Sequence, residues 1–393
     1  MLNNRHQLKW RIFFFIFLFG VTGCVPIRIK IPARTFTYYP VKSKKNIPKI
    51  QVAIAEHQHS VYLTSPSGFK VIVYPHHQIN SETVDYRLKV TFNLKSAQEM
   101  KIIPLGPLPI QVGNHAYQGS IKIIPEQGNS FLVINKINLE SYIMGVVSKE
   151  VPGDWPLAAL EAQAIAARTY AIYEKDQNRQ QQLPYDLKNT SLYQMYSGEN
   201  HVNIKIHDAV IKTQGEIMEY QGFPIMAVFH ANCGGHTDSA FNVWGEHMAY
   251  LKSVNCPFSK KGKHFFWETS IPISKIIRSL NSHTGIYIAG ITSIYPLKVD
   301  PTGRIQLLGI RDAQGHLKVI SGNTFRMSIG PNIIRSTLFH AYVHGNSIMF
   351  KGYGWGHGVG LCQEGAMEMA KEGYSDYQIL KYFYHDITFS NVD

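Results

Sequence analysis

The sequence predicts an α+β fold, with a β-rich N-terminal region followed by a mixed domain that holds a central helical pair and antiparallel strands. Short runs of alternating apolar and polar residues occur throughout residues 51–137. Apolar residues then recur at helical spacing between 138 and 175, and strand and turn composition returns from about 215 to 355. Strands and helices segregated along the chain in this way indicate α+β rather than a doubly wound parallel sheet.

The β-rich region contains several short strands separated by turns. Residues 60–75 hold two strand-like runs on either side of a Ser-Pro-Ser-Gly turn at 65–68, and residues 86–94 alternate like a half-buried strand. Residues 117–137 predict a hairpin whose turn is Glu-Gln-Gly-Asn at 126–129.

The central helical pair is predicted from the change of period near residue 138. Apolar residues of NLESYIMGVVSKE recur at three- and four-residue spacing, and Pro152 ends this helix. Asp154 is the expected N-cap of a second, alanine-rich helix at 156–175, which neighbouring elements can approach closely. Two short helices are expected after residue 362.

Composition and charge exclude several classes of protein. Of 393 residues, 45% are hydrophobic and four are cysteines, which excludes a disordered chain and a disulfide-built miniprotein. The formal net charge of +12 suggests nucleic-acid binding at first, but residues 1–50 hold ten basic residues and no acid. The remaining 343 residues carry 29 bases against 27 acids. A domain that binds phosphates spreads positive charge over its surface, so we expect no nucleic-acid partner.

The N-terminus has the form of an export signal. Three basic residues precede a short apolar run from Ile12 to Val21, which is too short to cross a bilayer comfortably. The following Val-Thr-Gly-Cys resembles the lipobox of bacterial lipoproteins, so residues 1–23 are predicted to be a cleaved signal peptide and Cys24 the lipid anchor. An uncleaved anchor, or an ordinary signal with an incidental cysteine, are the alternatives. The expected location is the outer side of the cytoplasmic membrane, or the periplasm or cell envelope.

Residues 24–50 are predicted to be a basic tether. The segment contains four prolines and seven basic residues and no glycine after Cys24, which favours semi-rigid extended backbone. Its charge suits an anionic membrane surface or wall polymer, and a simple solvated linker is the alternative. Residues 51–112 then form the β-rich N-terminal region, and residues 113–390 form the mixed domain, which is the expected catalytic domain.

Glu150 stands out from its pattern alone. It extends the apolar stripe of the first helix, three residues after Val147, and lies in the last turn, where the helix dipole disfavours a carboxylate. Both features raise the pKa of a carboxyl group, as a general acid near neutral pH requires. The alternative is a solvated glutamate at a frayed helix end.

Several motifs resemble the stage II sporulation protein D family of bacterial cell-wall lytic transglycosylases. The first is INLESYIMGVVSKEVPGDWPLAALEAQAIAARTYAIYE, followed in order by AVFHANCGGHTDSAFNVWG, AYLKSV and GYGWGHGVGLCQEGAMEMAKEGYSDYQILKYFY. The resemblance covers roughly residues 115–388. It implies cleavage between N-acetylmuramic acid (MurNAc) and N-acetylglucosamine (GlcNAc) to give 1,6-anhydro-MurNAc ends, preferably on strands denuded of stem peptides.

The resemblance also implies site residues and partners. Glu150 matches the catalytic acid and base, and Arg168 matches an arginine implicated in activity; a structural donor to backbone carbonyls is the alternative for Arg168. An N-acetylmuramoyl-L-alanine amidase is the implied partner, beside peptidoglycan and the membrane. A non-catalytic wall-binding amidase enhancer is the alternative function. The positions expected to bind substrate are Gln194, Tyr196, Gly234, Gly235, Thr237, Trp355, His357 and Gln363.

Residues 352–360 read GYGWGHGVG, with glycine at every second position. In a strand, the glycines would bare one face, while Trp355 and His357 would line the other and suit a flat sugar ring. Tight packing against a neighbouring segment is the alternative. No Gly-Lys-Ser/Thr follows, which excludes a phosphate-binding P-loop.

The remaining cysteines and histidines leave alternatives open. A Cys233 nucleophile lacks a convincing base in the sequence, and a zinc site from His230, Cys233, His236 and Cys256 has no recognised spacing. Some family members bind zinc through a loop whose matching positions here are Lys188, Leu192 and Tyr193, so we expect no metal and no cofactor. A Cys233–Cys256 disulfide, with Cys362 as a buried thiol, is a further possibility.

Overall fold

The computed structural model describes residues 48–74, 83–84, 87–91, 99–189, 194–196, 198 and 203–392. Helices and sheets are both present within these ranges, which confirms the α+β prediction with its β-rich N-terminal region. The predicted signal peptide, Cys24 and the tether as far as residue 47 lie outside the described residues. In the part that is described, no helix is long and apolar enough to cross a membrane.

Ten strands precede the helical pair within the described residues. They are β1 (Lys49–Gln58), β2 (Ser60–Thr64), β3 (Phe69–Val73), β4 (Thr83–Val84), β5 (Arg87–Thr91), β6 (Met100–Pro104), β7 (Ile110–Val112), β8 (His115–Tyr117), β9 (Ser120–Glu126) and β10 (Ser130–Asn138).

Helices and strands are interspersed in the rest of the chain that the structure describes. In order they are α1 (Leu139–Glu150), α2 (Leu157–Gln180), β11 (Leu187–Lys188), α3 (Ile204–Lys212), β12 (Glu216–Tyr220), β13 (Phe223–Pro224), β14 (Phe229–His230), α4 (Ala240–Trp244), a 3₁₀ helix (Pro257–Lys261), β15 (Phe266–Pro272), α5 (Ile273–His283), β16 (Ser293–Val299), β17 (Ile305–Arg311), β18 (Leu317–Ser321), α6 (Gly322–Ile329), β19 (Phe339–His344), β20 (Ser347–Tyr353), β21 (Leu361–Cys362), α7 (Gln363–Lys371), α8 (Asp376–Phe383) and β22 (Thr388–Asn391).

A seven-stranded sheet, ordered β11-β1-β10-β9-β6-β3-β4, supports the helical pair. The predicted hairpin is confirmed: β9 and β10 pair antiparallel from Glu126 opposite Ser130, and Asn129 adopts a φ of 62° in the turn. The two runs predicted around residues 65–68 are both strands, but β2 belongs to a separate sheet, ordered β5-β2-β7-β8. In this sheet β7, which ends at residue 112, pairs with β8, which begins at residue 115. The sheet therefore crosses the boundary predicted between residues 51–112 and 113–390.

The helical pair has the predicted period and one unexpected boundary. The Asn138 side chain caps α1 by accepting from the Glu140 N–H, and α1 ends at Glu150, two residues before Pro152. Helix α2 has Pro156 at its N-cap position without a side-chain cap, so the predicted Asp154 cap is wrong. Its small side chains let α1, α3, α7 and α8 pack around it, since the alanines between 162 and 171 are fully buried.

A second hydrophobic core lies within residues 267–350. It is formed by α5, α6 and two three-stranded sheets, ordered β15-β20-β19 and β16-β17-β18. The sequence interpretation assigned only strands and turns here and missed both helices. Ile276 and Leu280 are four residues apart and both fully buried, and this helical spacing could have predicted α5.

The glycine-rich segment differs from its prediction. Strand β20 ends at Tyr353, and the following Gly354, Gly356, Gly358 and Gly360 all adopt positive φ between 69° and 121°. These angles do not occur in a strand, so the chain turns repeatedly instead of baring one face. A Cβ on Gly356 would lie 2.5 Å from the Cβ of His230, which supports the alternative of tight packing.

Candidate active site

Glu150 is the last residue of α1, half-buried at the floor of a groove. Its Oε1 accepts a hydrogen bond from the Met195 N–H at 2.9 Å, and the Gln363 side chain donates a second one. Burial raises the pKa of Glu150, and the two donors, which favour the carboxylate, offset only part of that rise. The direction predicted from the sequence is therefore confirmed, with burial as the main cause.

Gln194 and Tyr196 hold the Met195 N–H beside Glu150. The Gln194 side chain is buried, donates to the Ala167 carbonyl at 2.9 Å and accepts from the Tyr142 hydroxyl. The Tyr196 hydroxyl donates to the Asn135 side chain at 2.8 Å. Both were predicted to bind substrate, but their side chains are buried and bond to groups inside the protein. Met195 between them is exposed.

Two clefts meet at Glu150. The first, of about 580 Å³, is here called the aromatic cleft because Tyr170, Phe229, Trp244 and Trp355 line it. The second, of about 540 Å³, is called the charged cleft, and the charged residues that line it besides Glu150 are Asp154, Lys261, Lys263, His264, Glu364, Glu368 and Lys371. Four residues line both clefts: Glu150, Ala231, His264 and Gln363. The Glu150 carboxyl group thus lies where the two clefts adjoin, and the two clefts together are called the groove.

Trp355 and His357, which the sequence predicts to bind substrate, line the aromatic cleft. The Arg335 guanidinium lies 4.7 Å from the centre of the Trp355 ring, and His264 meets the ring edge to face. Trp244, from the end of α4, stands beside His357 with ring centroids 5.4 Å apart. These rings form an apolar wall next to Glu150.

His357 is held in one neutral tautomer. Its Nε2–H donates to the Phe229 carbonyl at 3.0 Å, and its Nδ1 accepts from the Val359 N–H at 3.1 Å. Burial, with added repulsion from His230 and Arg326, lowers the pKa of His357 to about 3. Both ring nitrogens are therefore occupied by backbone, and His357 shapes the cleft without supplying a proton near neutral pH.

Two carboxylates of the charged cleft, Glu364 and Glu368, are already engaged, whereas the third, Asp154, is exposed. Glu364 Oε2 accepts from the Asn232 side chain at 2.7 Å and from the His264 N–H at 3.1 Å. Its Oε1 lies 2.7 Å from the His264 ring. Glu368 pairs with Lys371 at 2.7 Å. Glu150 lines both clefts and Asp154 lines only one, so Glu150 is the carboxyl group best placed for chemistry.

Arg168 is in the interior, away from the groove. Its side chain is fully buried and forms a bidentate ion pair with Glu140, with Nη2 to Oε2 at 2.7 Å. Its Nη1 donates to the Glu216 carbonyl at 3.0 Å. In place of the catalytic contact predicted for Arg168, the structure has the alternative, a structural donor, because the buried Glu140 carboxylate demands a partner of opposite charge.

Gly234, Gly235 and Thr237 form a turn outside both clefts. The two glycines adopt φ of 72° and 106°, and Gly235 N–H donates to the Ser259 hydroxyl at 2.9 Å. Thr237 is buried, with its hydroxyl accepting from the Val254 N–H. Their predicted contact with substrate is replaced by backbone bonds that shape this turn. Gln363, by contrast, reaches both clefts.

The buried cysteines form a cluster that differs from the sequence alternatives. Cys233, Cys256 and Cys362 are free thiols, so the Cys233–Cys256 disulfide is not formed. His236 is exposed, while Cys362 lies with His230 and Cys233. Cys233 is fully buried and lines neither cleft, which argues against a cysteine nucleophile.

Several groove residues escaped the sequence interpretation. Met195 contributes a backbone N–H, which no sequence pattern reveals. His264, Trp244 and Arg326 reach the groove from segments far apart in the chain, and Arg326 comes from the missed helix α6. For Trp244, a large aromatic residue directly before Gly245 and the polar Glu246 and His247, the sequence did offer a sign of a ligand-binding position.

The sequence is similar to those of several known proteins. Residues 127–220 match the family model described as stage II sporulation protein, and residues 247–360 match a domain of unknown function. An uncharacterized protein of Brachyspira hyodysenteriae is 36% identical over 69% of this chain and 71% of its own length. Stage II sporulation protein D of Bacillus amyloliquefaciens is 30% identical, over 69% of this chain and 79% of its own. An amidase enhancer of Bacillus subtilis is 25% identical over 63% and 40%.

Proposed function

The chain belongs to the stage II sporulation protein D family, which has a cell-wall-related role, and we propose that it is a peptidoglycan lytic transglycosylase with Glu150 as general acid and base. One observation carries the proposal. A carboxyl group with a raised pKa lies where two clefts meet, so sugars on both sides of a cleaved bond have room to bind.

The proposed reaction uses one carboxyl group twice. Protonated Glu150 donates its proton to the glycosidic oxygen between MurNAc and GlcNAc as the bond from MurNAc C1 to that oxygen breaks. The resulting carboxylate accepts the proton of the MurNAc 6-hydroxyl, whose oxygen bonds to C1 and closes the 1,6-anhydro ring. Glu150 ends protonated, ready for the next turnover, and the Met195 N–H and the Gln363 side chain stabilise its intermediate carboxylate.

The aromatic cleft supports this choice over hydrolysis by two acids, because a second acid would have to come from the other cleft. Among the described residues that line the aromatic cleft, Glu150 is the only one with a carboxyl group. Ordinary glycosidases place a pair of carboxyls on either side of the scissile bond, separated by about 5–9 Å. A substrate hydroxyl as nucleophile removes the need for the second one.

The aromatic cleft also suits denuded strands. Aromatic rings such as those of Trp244 and Trp355 can bury the apolar faces of sugars. Once the stem peptide is removed, each MurNAc carries a free lactyl carboxylate. Arg326 lines this cleft as a cation, because burial lowers its pKa only to about 10. We therefore propose that Arg326 pairs with the lactyl carboxylate.

Mass spectrometry of denuded glycan strands tests the activity. Wild-type protein should release products with 1,6-anhydro-MurNAc ends, and Glu150→Gln should release at least roughly a hundredfold less. Glu268→Gln is the matched control, because the Glu268 side chain is exposed and pairs with Lys351. Products with reducing ends from wild type, or full activity of Glu150→Gln, would contradict the proposal.

The second candidate function is a non-catalytic amidase enhancer. The similarity to a protein of that name favours it, and the same groove would bind glycan without cutting it. If this function is correct, wild type and Glu150→Gln should bind denuded glycan strands equally well, and neither protein should cleave them. Faster stem-peptide removal by an added N-acetylmuramoyl-L-alanine amidase would support this alternative.

We further propose that the protein is exported and anchored through Cys24, on the sequence grounds given above. Metabolic labelling with a radioactive fatty acid tests this proposal. Wild type should incorporate the label and fractionate with membranes, whereas Cys24→Ser should incorporate none. Labelling of Cys24→Ser would show that the anchor lies elsewhere.

A further inference from the structure

Four buried side chains converge beside the groove, in a cluster formed by His230, Cys233, Cys256 and Cys362. Strands β14 and β21 run parallel with His230 opposite Cys362, so these two residues lie side by side. The ligand atoms of His230, Cys233 and Cys362 lie within 4.8 Å of one another. The Cys256 thiol contacts both other thiols. At most 4% of any of the four residues is exposed.

His230 has a free lone pair directed into this cluster. Its Nδ1–H donates to the Val359 carbonyl at 3.1 Å, which leaves Nε2 unprotonated. Among the described residues, Nε2 has no hydrogen-bond partner although it is buried, and the Cys233 thiol lies beside it. A buried acceptor without a donor is costly, whereas a histidine oriented by a backbone carbonyl is typical of a metal ligand.

We propose that His230, Cys233, Cys256 and Cys362 form a structural zinc site. Three thiolates and one imidazole are a recognised zinc ligand set, and a tetrahedron with zinc–sulfur bonds of about 2.3 Å has sulfurs about 3.8 Å apart. Zinc displaces the three thiol protons to solvent, which leaves the site with a net charge of −1. All four ligands come from the protein and are buried, so no position stays open for a substrate.

The surroundings fit this assignment. Arg304, itself buried, donates to the Cys233 carbonyl at 2.6 Å and so places a positive charge beside the anionic site. Gly365 makes room for the sulfurs, because a Cβ there would lie 2.7 Å from Cys256 Sγ and 3.2 Å from Cys362 Sγ. The cluster is distinct from the alternative considered from the sequence, because Cys362 replaces the exposed His236.

The site would hold the wall of the groove. Cys362 directly precedes Gln363, which bonds to Glu150, and His230 itself lines the aromatic cleft. Cys256 is the N-cap of the 3₁₀ helix that leads to Lys261 and His264 of the charged cleft. One ion thus joins segments that are separated by 132 residues in the chain, from His230 to Cys362. This role stands whether or not the groove cleaves glycan.

Metal content of the full-length protein tests the proposal. Protein purified from zinc-supplemented medium should contain about one zinc ion per chain, and cobalt in its place should give intense sulfur-to-cobalt charge-transfer absorption. Cys256→Ser and Cys362→Ser should lose most of the zinc. Two matched controls, Cys24→Ser and His236→Ala, each remove a residue of the same type outside the cluster and should keep it.

A chelator separates loss of metal from failure to fold. Phenanthroline should lower the melting temperature of wild type and of both controls, and added zinc should restore it. Cys256→Ser, where it folds, should not respond. Folded wild type with far less zinc than one ion per chain would overturn the proposal. A disulfide among these cysteines would overturn the proposal as well. It would make the intact mass of the metal-free wild type about 2 Da lower than that of the fully reduced chain.

Discussion

Glu140 and Arg168 join the two central helices through a fully buried ion pair, with Oε2 and Nη2 2.7 Å apart. Glu140 lies in the first turn of α1 and Glu150 at its end, so the pair fixes the helix that carries the acid. Glu140 also accepts from the Gly215 N–H at 3.0 Å. Arg168 is thus a positioning residue, which acts on Glu150 through α1.

Replacing Arg168 should destabilise the fold. Arg168→Gln leaves Glu140 buried without its counter-charge, which should lower the free energy of unfolding by about 3–5 kcal/mol. Urea denaturation measures the loss. Arg179→Gln is the control on the same helix, because this 60% exposed side chain should contribute only about 0–1 kcal/mol. An Arg168→Gln protein that keeps wild-type stability but loses cleavage would contradict the structural role and favour contact with substrate.

The hydrogen bond from Gln363 should set the alkaline limit of activity. A general acid must be protonated, so kcat/KM is expected to fall as the pH rises through the pKa of Glu150. Gln363 lowers that pKa by favouring the carboxylate, so Gln363→Met should raise it and move the alkaline limb of the profile to higher pH. Gln181→Met, at the exposed end of α2, should leave the limb in place. A shift to lower pH would be incompatible with the observed bond.

His357 should remain neutral in the working range of pH. Nitrogen-detected NMR should find one tautomer, protonated at Nε2, with shifts constant from pH 8 to 5, because its pKa is about 3. The unfolded chain takes up this proton near its ordinary pKa of about 6.5. The stability that His357 confers is therefore full above about pH 6.5 and is lost as the pH falls toward 3. A ring that titrates near neutral pH would show that the two backbone bonds are absent.

A side chain at Gly358 should destabilise the fold. Its φ is 84°, and a Cβ there would lie 2.7 Å from Arg304 Nη2, which is fixed by its bond to the Cys233 carbonyl. Gly345→Ala is the matched control, because φ is also positive there but no atom lies within 4 Å. Positive φ alone costs about 1–2 kcal/mol, and the clash should cost Gly358→Ala a further 1–3 kcal/mol or so. Thermal unfolding compares the stability of Gly358→Ala with that of Gly345→Ala. Equal losses of stability would show that the Arg304 side chain moves away without cost.

The sequence by itself determined the features that depend on local periodicity. The end of α1 at Glu150, the β9–β10 hairpin and the two final helices follow from side chains that lie within one turn or one strand pair. The elevated pKa of Glu150 was predictable for the same reason, since an acid on an apolar stripe becomes buried. The sequence did not show that the side chains of Gln194 and Tyr196 point inward.

The tertiary structure alone decided where chemistry-bearing residues meet. The sequence pattern around Arg168 cannot show that Glu140, 28 residues earlier, claims its guanidinium. The parallel pairing of β14 with β21 brings His230 to Cys362, and positive φ angles turn the glycine-rich segment away from a strand. Long-range pairing and backbone conformation at glycine depend on what packs against them, and such contacts leave no periodic trace in a single sequence.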